Sequence, residues 1–497
     1  MSRRNLRVFF VLLLFAAFGG RSYAHVGSKD VFEELTAGPY KLFVTVRMPV
    51  VIPGVAQLEV RATGPGIDSI EVTPVPMVGE SSKHPPTPDG LKRSSADPDF
   101  YTGSLWIMAS GSWKVQFTVN GAAGTGTAAV PAPAAPLVML PMQRGLGVML
   151  AVLGVVLVLG MAGIVGAAVR EARVPPGTSP DAGRKRWAAM ASVAALVLGI
   201  VAAAGGGYWW SAEAADYAGA IFRPAGMEPV LTGDTLDLKL SPPEYREKRR
   251  RRAVSDLLLD HGKLMHLYAI REPEMDAAFH LHPSLVKPGE LQMNLPAMPP
   301  GEYALYADIV HASGFPETLT AKLMIPPGMQ GTPLAADDAF AAPAALSKGE
   351  LGTTYKLPDG YSMVWDKPAK LSASTAYSFH FRLLDPSGKP ATGMEPYLGM
   401  AGHAAFVKTD GTVFAHTHPE GSAAMPAMMI ANGNVAEAST IAAMPGMPRM
   451  AGMAETQAVG PEVDFPYGFP AEGRYRIFIQ MKHGGVVETG VFDAIVE

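Results

Sequence analysis

Apolar residues along the chain fall into two patterns, long unbroken runs and short alternations. The first run, Val8–Phe18, follows a basic stretch of Arg3, Arg4 and Arg7 and precedes Ser22, Tyr23 and Ala24. That order predicts a secretory signal over 1–24, cleaved after Ala24. Two later stretches, Gly145–Val169 and Trp187–Trp210, carry no charge. Each exceeds the roughly 20 residues that a membrane-spanning helix needs. Tyr208, Trp209 and Trp210 stand where interfacial aromatics belong. Spans are therefore expected over 144–169 and 187–210. The connection 170–186 holds Arg170, Arg173, Arg184, Lys185 and Arg186 against Glu171 and Asp181. An excess of cations in a short loop places it in the cytoplasm, so both large flanking portions are expected outside. The basic run Lys248–Arg252 lies too far from the spans to govern orientation and reads as a solvated loop.

The alternating regions predict β-structure. Tyr40–Val46, Gln57–Arg61 and Trp113–Val119 alternate as half-buried strands do, with Gly and Pro between them. This gives a small sandwich over 25–130, with a polar, Pro-rich loop between Val78 and Asp99 and a Pro/Ala linker over 131–143. The C-terminal half contains an internal repeat. Its first copy, 226–326, runs through His266, Phe279-His280-Leu281-His282-Pro283, Tyr303, His311 and Glu317-Thr318. The second, 351–497, runs through His403, Phe414-Ala415-His416-Thr417-His418-Pro419, Tyr475, His483 and Glu488-Thr489. Each copy has the size of one β-sandwich. The fold class expected is mainly β, with three immunoglobulin-like or cupredoxin-like sandwiches and a two-helix transmembrane hairpin.

The repeat places histidines at defined positions. Asp410-Gly411 between two apolar strands predicts a hairpin turn. Counting back from it sets His403 opposite His418, with His416 two residues along on the same face. Imidazoles so placed are close enough to share an ion. In the first copy a three-residue turn, Pro273-Glu274-Met275, sets His266 opposite His282, with His280 beside them. His311 and His483 end a third strand in each copy and are expected to supply a fourth ligand. His380 alternates with Phe379 and Phe381 and faces elsewhere. His261 has no counterpart in the second copy and stands outside the expected site. An isolated strand histidine is ordinarily a hydrogen-bonded structural residue, but sandwich packing alone does not call for four imidazoles in both copies.

Composition narrows the chemistry. The net charge of −4 gives no reason to expect a nucleic-acid partner. The absence of cysteine excludes thiolate sites and disulfides, leaving His, Met, Asp and Glu as ligands. Cleavage after Ala24 would make His25 the mature N-terminus, whose α-amine and ring nitrogen suit Cu(II), with His84 as second ligand. The second copy also carries an insertion over 420–465. It holds Met425, Met428 and Met429, then Met444, Met447, Met450 and Met453 at intervals of three. Three residues make one turn of a polyproline-like chain, so the last four thioethers would share a side. Thioethers select Cu(I); the plain alternative is a flexible Ala/Met/Pro/Gly loop.

His25-Val-Gly and the strands after it, through the Gly111–Val119 stretch, resemble the YtkA-like family over about residues 25–130. The resemblance implies a small exported immunoglobulin-like domain akin to CopC-type periplasmic copper carriers. It places the family's N-terminal copper-binding histidine on His25, while that histidine's aspartate partner has no clear equivalent. The His-x-His-Pro repeats are similar to exported domains associated with heavy-metal handling. The resulting expectation is a protein of the inner (cytoplasmic) membrane that captures, buffers or transfers copper outside the cytoplasm. Zinc is a second candidate ion, and copper transporters or efflux proteins are the expected partners. A non-metal immunoglobulin-like scaffold is the alternative, and an oxidative copper enzyme a third reading. No paired carboxylates or nucleophile–base arrangement point to other catalysis.

Overall fold

A computed structural model describes residues 30–245, 253–434 and 459–497. The expected signal over 1–24, His25, the run Lys248–Arg252, and Met444, Met447, Met450 and Met453 lie outside the described residues. The chain forms two compact units, one built of strands and one of helices.

Among the described residues, the β unit contains six antiparallel sheets, packed in pairs over three main hydrophobic cores. In the first pair, Val31–Ala37, Tyr40–Arg47, Gly54–Thr63 and Phe100–Ile107 face Ile67–Pro76, Gly111–Gly121 and Gly124–Ala134. Alternation along these strands turns Val44, Val60, Val72 and Phe117 into one core. The expected loop between Val78 and Asp99 contains a short 3₁₀ turn, Glu80–Lys83, and two two-residue strands.

The other two pairs carry the repeat. In the first copy, His266–Arg271 lies between Gly301–His311 and Ala278–Leu281, and the edge is extended by Ala339–Ala341, beyond the expected limit at 326. In the second, His403–Lys408 lies between Gly473–His483 and Phe414–Thr417. Glu462–Gly468, the end of the expected insertion, is instead a strand paired with Ala376–Leu384. The counted registers hold. Ala404 faces Thr417 and Leu267 faces Leu281, which sets His403 opposite His418 and His266 opposite His282. At the Asp410-Gly411 corner only Gly411 has positive φ, at 73°.

Each repeat sheet is buried on both faces. In Gly473–His483 the residues Tyr475, Ile477, Ile479 and Met481 enter the sandwich core. Phe478 on the opposite face joins Tyr268, Ile270, Tyr306, Val407 and Phe414 in a separate apolar layer between the two copies. Tyr306 and Phe414 stack there with centroids 4.5 Å apart. Arg476, fully buried, donates to both carboxylate oxygens of Asp493 (2.8 and 2.9 Å) and to the Met275 carbonyl of the first copy (2.9 Å).

This layering corrects the ligand role expected of His311 and His483. His266 pairs with Asp308 and His403 with Gln480, so the histidine face is the even-numbered face of each third strand. His311 and His483 lie on the other face and join neither histidine group. His483 packs against Tyr361, with centroids 4.4 Å apart. His311 is held by Asp256 at Nδ1 and by Glu317 at Nε2, each at 2.9 Å.

The helical unit contains Arg144–Glu171 and Ala182–Ala220, both long and apolar enough to cross a membrane. The second runs beyond the expected 187–210 at both ends. Leu157, Ile164, Leu198 and Val201 lie exposed on these helices. The helices touch through small residues: a Cβ at Gly166 would fall 2.0 Å from the Ser192 hydroxyl. Asp181 caps the second helix by accepting from the Arg184 amide at 2.8 Å.

The His311 ion triad has a pH signature. Burial alone lowers the imidazole pKa, but hydrogen bonds and charges from Asp256 and Glu317 outweigh it and raise the value to about 9. An unfolded histidine titrates near 6.5. The triad therefore stabilises fully below about pH 6.5 and loses that contribution as pH rises through about 9. Replacing His311 with Leu removes the cation beside the buried Glu317 carboxylate, which keeps its bond from the Ala225 amide, and is expected to cost about 3–5 kcal/mol at pH 6. Denaturant unfolding of wild type and H311L at pH 6 and pH 9.5 should show the gap narrowing at the higher pH.

Candidate metal centre

The two repeat sheets press their histidine faces together, and seven imidazoles meet between them. The first copy contributes His266, His280 and His282, and the second His403, His416 and His418. His261 joins from the turn ahead of the first histidine strand. His266, His280, His403 and His418 are each 4% exposed or less. Ring centroids join across the interface, with His266 5.0 Å from His416 and 6.1 Å from His403.

The copies reach across to each other in the same way. Gln480 and Asp308 occupy equivalent positions, opposite His403 and His266. Gln480 Oε1 accepts from His280 Nδ1 of the other copy at 2.8 Å. Asp308 Oδ2 lies 3.5 Å from His416 Nδ1, the matching histidine. The contact is an approximately self-complementary one within a single chain.

Two groups of three can each converge on one ion, His266/His280/His282 and His261/His403/His418. The first is the expected set. In the second, His261 takes the place expected of His416, whose ring stands between the groups, 5.3 Å from His403 and 5.5 Å from His280. His261 is aimed by a tight turn in which Asp260 and Lys263 exchange backbone hydrogen bonds of 2.8 and 2.9 Å. Both central residues have positive φ, 49° at His261 and 79° at Gly262. A non-glycine residue held there is a conformation that function can select. His261 stood outside the expected site because the second copy has no counterpart to it.

Protonation within the first group follows from its partners. Burial and neighbouring imidazoles hold His266 and His280 well below the usual histidine range, so both are neutral. A neutral ring has one N–H. His266 Nε2 lies 3.1 Å from the Asp260 carbonyl, which can only accept, so its proton is there. His280 Nδ1 spends its proton on Gln480 Oε1. His266 Nδ1 and His280 Nε2, 3.0 Å apart, then face each other as two lone pairs. An ion about 2 Å from each nitrogen would see them at roughly a right angle. His282 Nδ1 donates to Asp338 at 2.9 Å, leaving its buried Nε2 without a partner among the described residues. Such outer hydrogen bonds fix ring orientation in metal sites.

The second group is barer. Both ring nitrogens of His403 and Nε2 of His261, His416 and His418 are buried without a hydrogen-bond partner among the described residues, with Asp260 Oδ1 3.5 Å from His261 Nε2. Leaving a buried polar atom unpaired costs about 1–3 kcal/mol, so five such atoms in one layer are poor structural design and good ligand design. His403 and His418 are held well below the usual range, first by burial and then by neighbouring imidazoles, His418 for His403 and His261 for His418.

Residues 354–497, most of the second repeat, match the model of a domain of unknown function, DUF8832. No curated protein matches the chain. Among solved structures, the latent dimeric PorU of Porphyromonas gingivalis is 8% identical at a TM-score of 0.15, covering 94% of this chain. The chain spans only 34% of the length of PorU. The ICAM-5 D1–D4 ectodomain fragment is 9% identical at 0.16, covering 93% of this chain and 77% of its own. A putative membrane anchored protein from Corynebacterium diphtheriae is 10% identical at 0.14, covering 93% and 94%. Scores this low carry no argument about function.

His84 is exposed after the Glu80–Lys83 turn and belongs to neither group. His380 pairs with Asp464 at 3.1 Å, away from the cluster.

A structural histidine and a ligand histidine respond oppositely to removal. With both nitrogens unpaired, His403 replaced by Leu should leave the metal-free protein as stable as wild type or up to about 1 kcal/mol more stable. Thermal melting in chelator measures this, and a loss of several degrees would make His403 a structural residue.

Proposed function

We propose that the chain is a membrane-anchored, extracytoplasmic copper-binding protein that captures, buffers or transfers the ion at a histidine centre between its two repeats. The observation that carries this reading is the pair of lone pairs facing each other at 3.0 Å between His266 and His280, ringed by unpartnered imidazole nitrogens. A buried layer of neutral acceptors is unfavourable without a cation and well suited to one. Imidazole donors suit copper, zinc and nickel, and Cu(II) binds most tightly of the divalent series. In this reading the three core-sharing sheet pairs are three immunoglobulin-like sandwiches. The N-terminal one is the YtkA-like module, with His25 as a separate surface ligand.

The apolar helices are read as a transmembrane hairpin. Arg170, Arg173, Arg184, Lys185 and Arg186 cluster at the connection between them, and positive charge there supports a cytoplasmic turn. A phosphatase-type reporter fused after Glu497 should be active outside the cytoplasm, and one inserted at Pro180 should not. The reverse pattern would remove the export-side reading.

Metal binding is tested on the full chain in detergent after chelation. Copper should raise the thermal midpoint, because a ligand held only by the folded state stabilises it by mass action. Changing His266, His280 and His282 together to Ala should remove one part of the bound copper, and changing His261, His403 and His418 another. A wild-type protein that takes up neither copper nor zinc would end the metal reading.

A further inference from the structure

The second histidine group opens on one side into a cleft of about 340 Å³. His261, His418, Met400, Met425 and Met428 line it, together with Glu33, Glu34 and Glu420. Three thioethers beside two imidazoles are an unusual gathering in a protein without cysteine, and the surrounding elements hold them there. Met400 closes a turn in which it and Tyr397 exchange backbone hydrogen bonds of 2.8 and 3.1 Å. Tyr397 in turn packs on His403, with centroids 4.8 Å apart. Met425 and Met428 lie on the helix Met425–Ala431, inside the insertion that only the second copy carries. Ala427 and Ile430 of that helix pack with Leu258 and Val310 of the first copy. Asn432 exchanges hydrogen bonds of 3.0 Å with the Ala129 backbone of the N-terminal sheets.

Asp260 ties this wall to the histidines. Its side chain accepts from the Met425 amide at 3.1 Å, its carbonyl faces His266, and its turn aims His261. The first strand of the N-terminal sheets also lines the cleft, where Glu33 accepts from the Ala423 amide at 2.6 Å and Thr36 is exposed. Thioethers are soft ligands that favour Cu(I) and add little for harder ions.

We infer that this cleft is the port of the histidine centre for a soft monovalent cation of the Cu(I) class, passed between Met400, Met425 and Met428 and the imidazoles of His261 and His418. The inference rests on the reading that His261, His403 and His418 hold a metal. It adds the oxidation state that travels and the path that it takes. No electron is transferred in this step; the ion exchanges sulfur for nitrogen ligands at constant charge.

The test uses the full chain in detergent, metal-free, mixed anaerobically with Cu(I) held by a chromophoric chelator and, separately, with Cu(II). Changing Met400, Met425 and Met428 together to Leu should slow Cu(I) uptake roughly tenfold and leave Cu(II) uptake and the melting temperature unchanged. Met429→Leu, whose sulfur is not part of the cleft lining, should behave as wild type. Thr36→Trp, which narrows the cleft while keeping every sulfur, should slow both ions. Wild-type Cu(I) uptake in the triple variant overturns the port, as does unhindered uptake by T36W should the triple variant fold poorly. A wild-type protein that takes up neither ion overturns the underlying metal reading instead.

Discussion

The centre depends on one packing constraint: the histidine-bearing sheet of each repeat is covered on both faces. One face fills its own sandwich, and the other meets the equivalent face of the second copy. A sheet buried in this way must find apolar or fully paired residues for its outer face. Most of that face complies, with Tyr268, Tyr306, Val407, Phe414 and Phe478 forming a dry layer. Arg476 is neutralised by Asp493 and anchored to the Met275 carbonyl. The histidines at the far end of the same face do not comply. Their nitrogens are buried where the described residues offer too few partners.

That contrast separates function from scaffolding. His311 shows how this chain treats a structural histidine: both nitrogens are engaged by carboxylates and the ring is held charged. The cluster is treated in the opposite way: burial holds His266, His280, His403 and His418 well below the usual histidine range, and several of its nitrogens have no hydrogen-bond partner among the described residues. Both situations occur in one sheet, on the paired strands Gly301–His311 and His266–Arg271, so general tolerance of buried imidazoles does not account for the difference. Asp260 couples the parts, because one residue orients His266, aims His261 and anchors the helix that carries Met425.

Joining two copies in one chain also makes the centre asymmetric. Gln480 and Asp308 occupy equivalent positions but present an amide to His280 and a carboxylate to His416. His261 and the Met425–Ala431 helix break the repeat further, and both lie on the side where the cleft opens. Asymmetry of this kind gives a site an inside and an outside, which a relay requires and a purely structural clasp does not.

The β-class, the two apolar helices, the repeat and the registers that pair His403 with His418 and His266 with His282 were legible in the residues. Each rests on local periodicity or on counting from a turn. The same reasoning put His483 on the core-facing side of its strand, where it lies, but gave His311 and His483 a ligand role away from the histidine face. Strand alternation says which residues share a face but not which of two buried faces a neighbour will cover. His261 was invisible for a related reason: a turn residue without a repeat counterpart acquires meaning only when a second sheet arrives in front of it. Sequence determined that histidines would stand in pairs across hairpins. Only tertiary packing decided that the two sets would meet, because contact between them is made by side chains more than a hundred residues apart, and no local pattern encodes that distance.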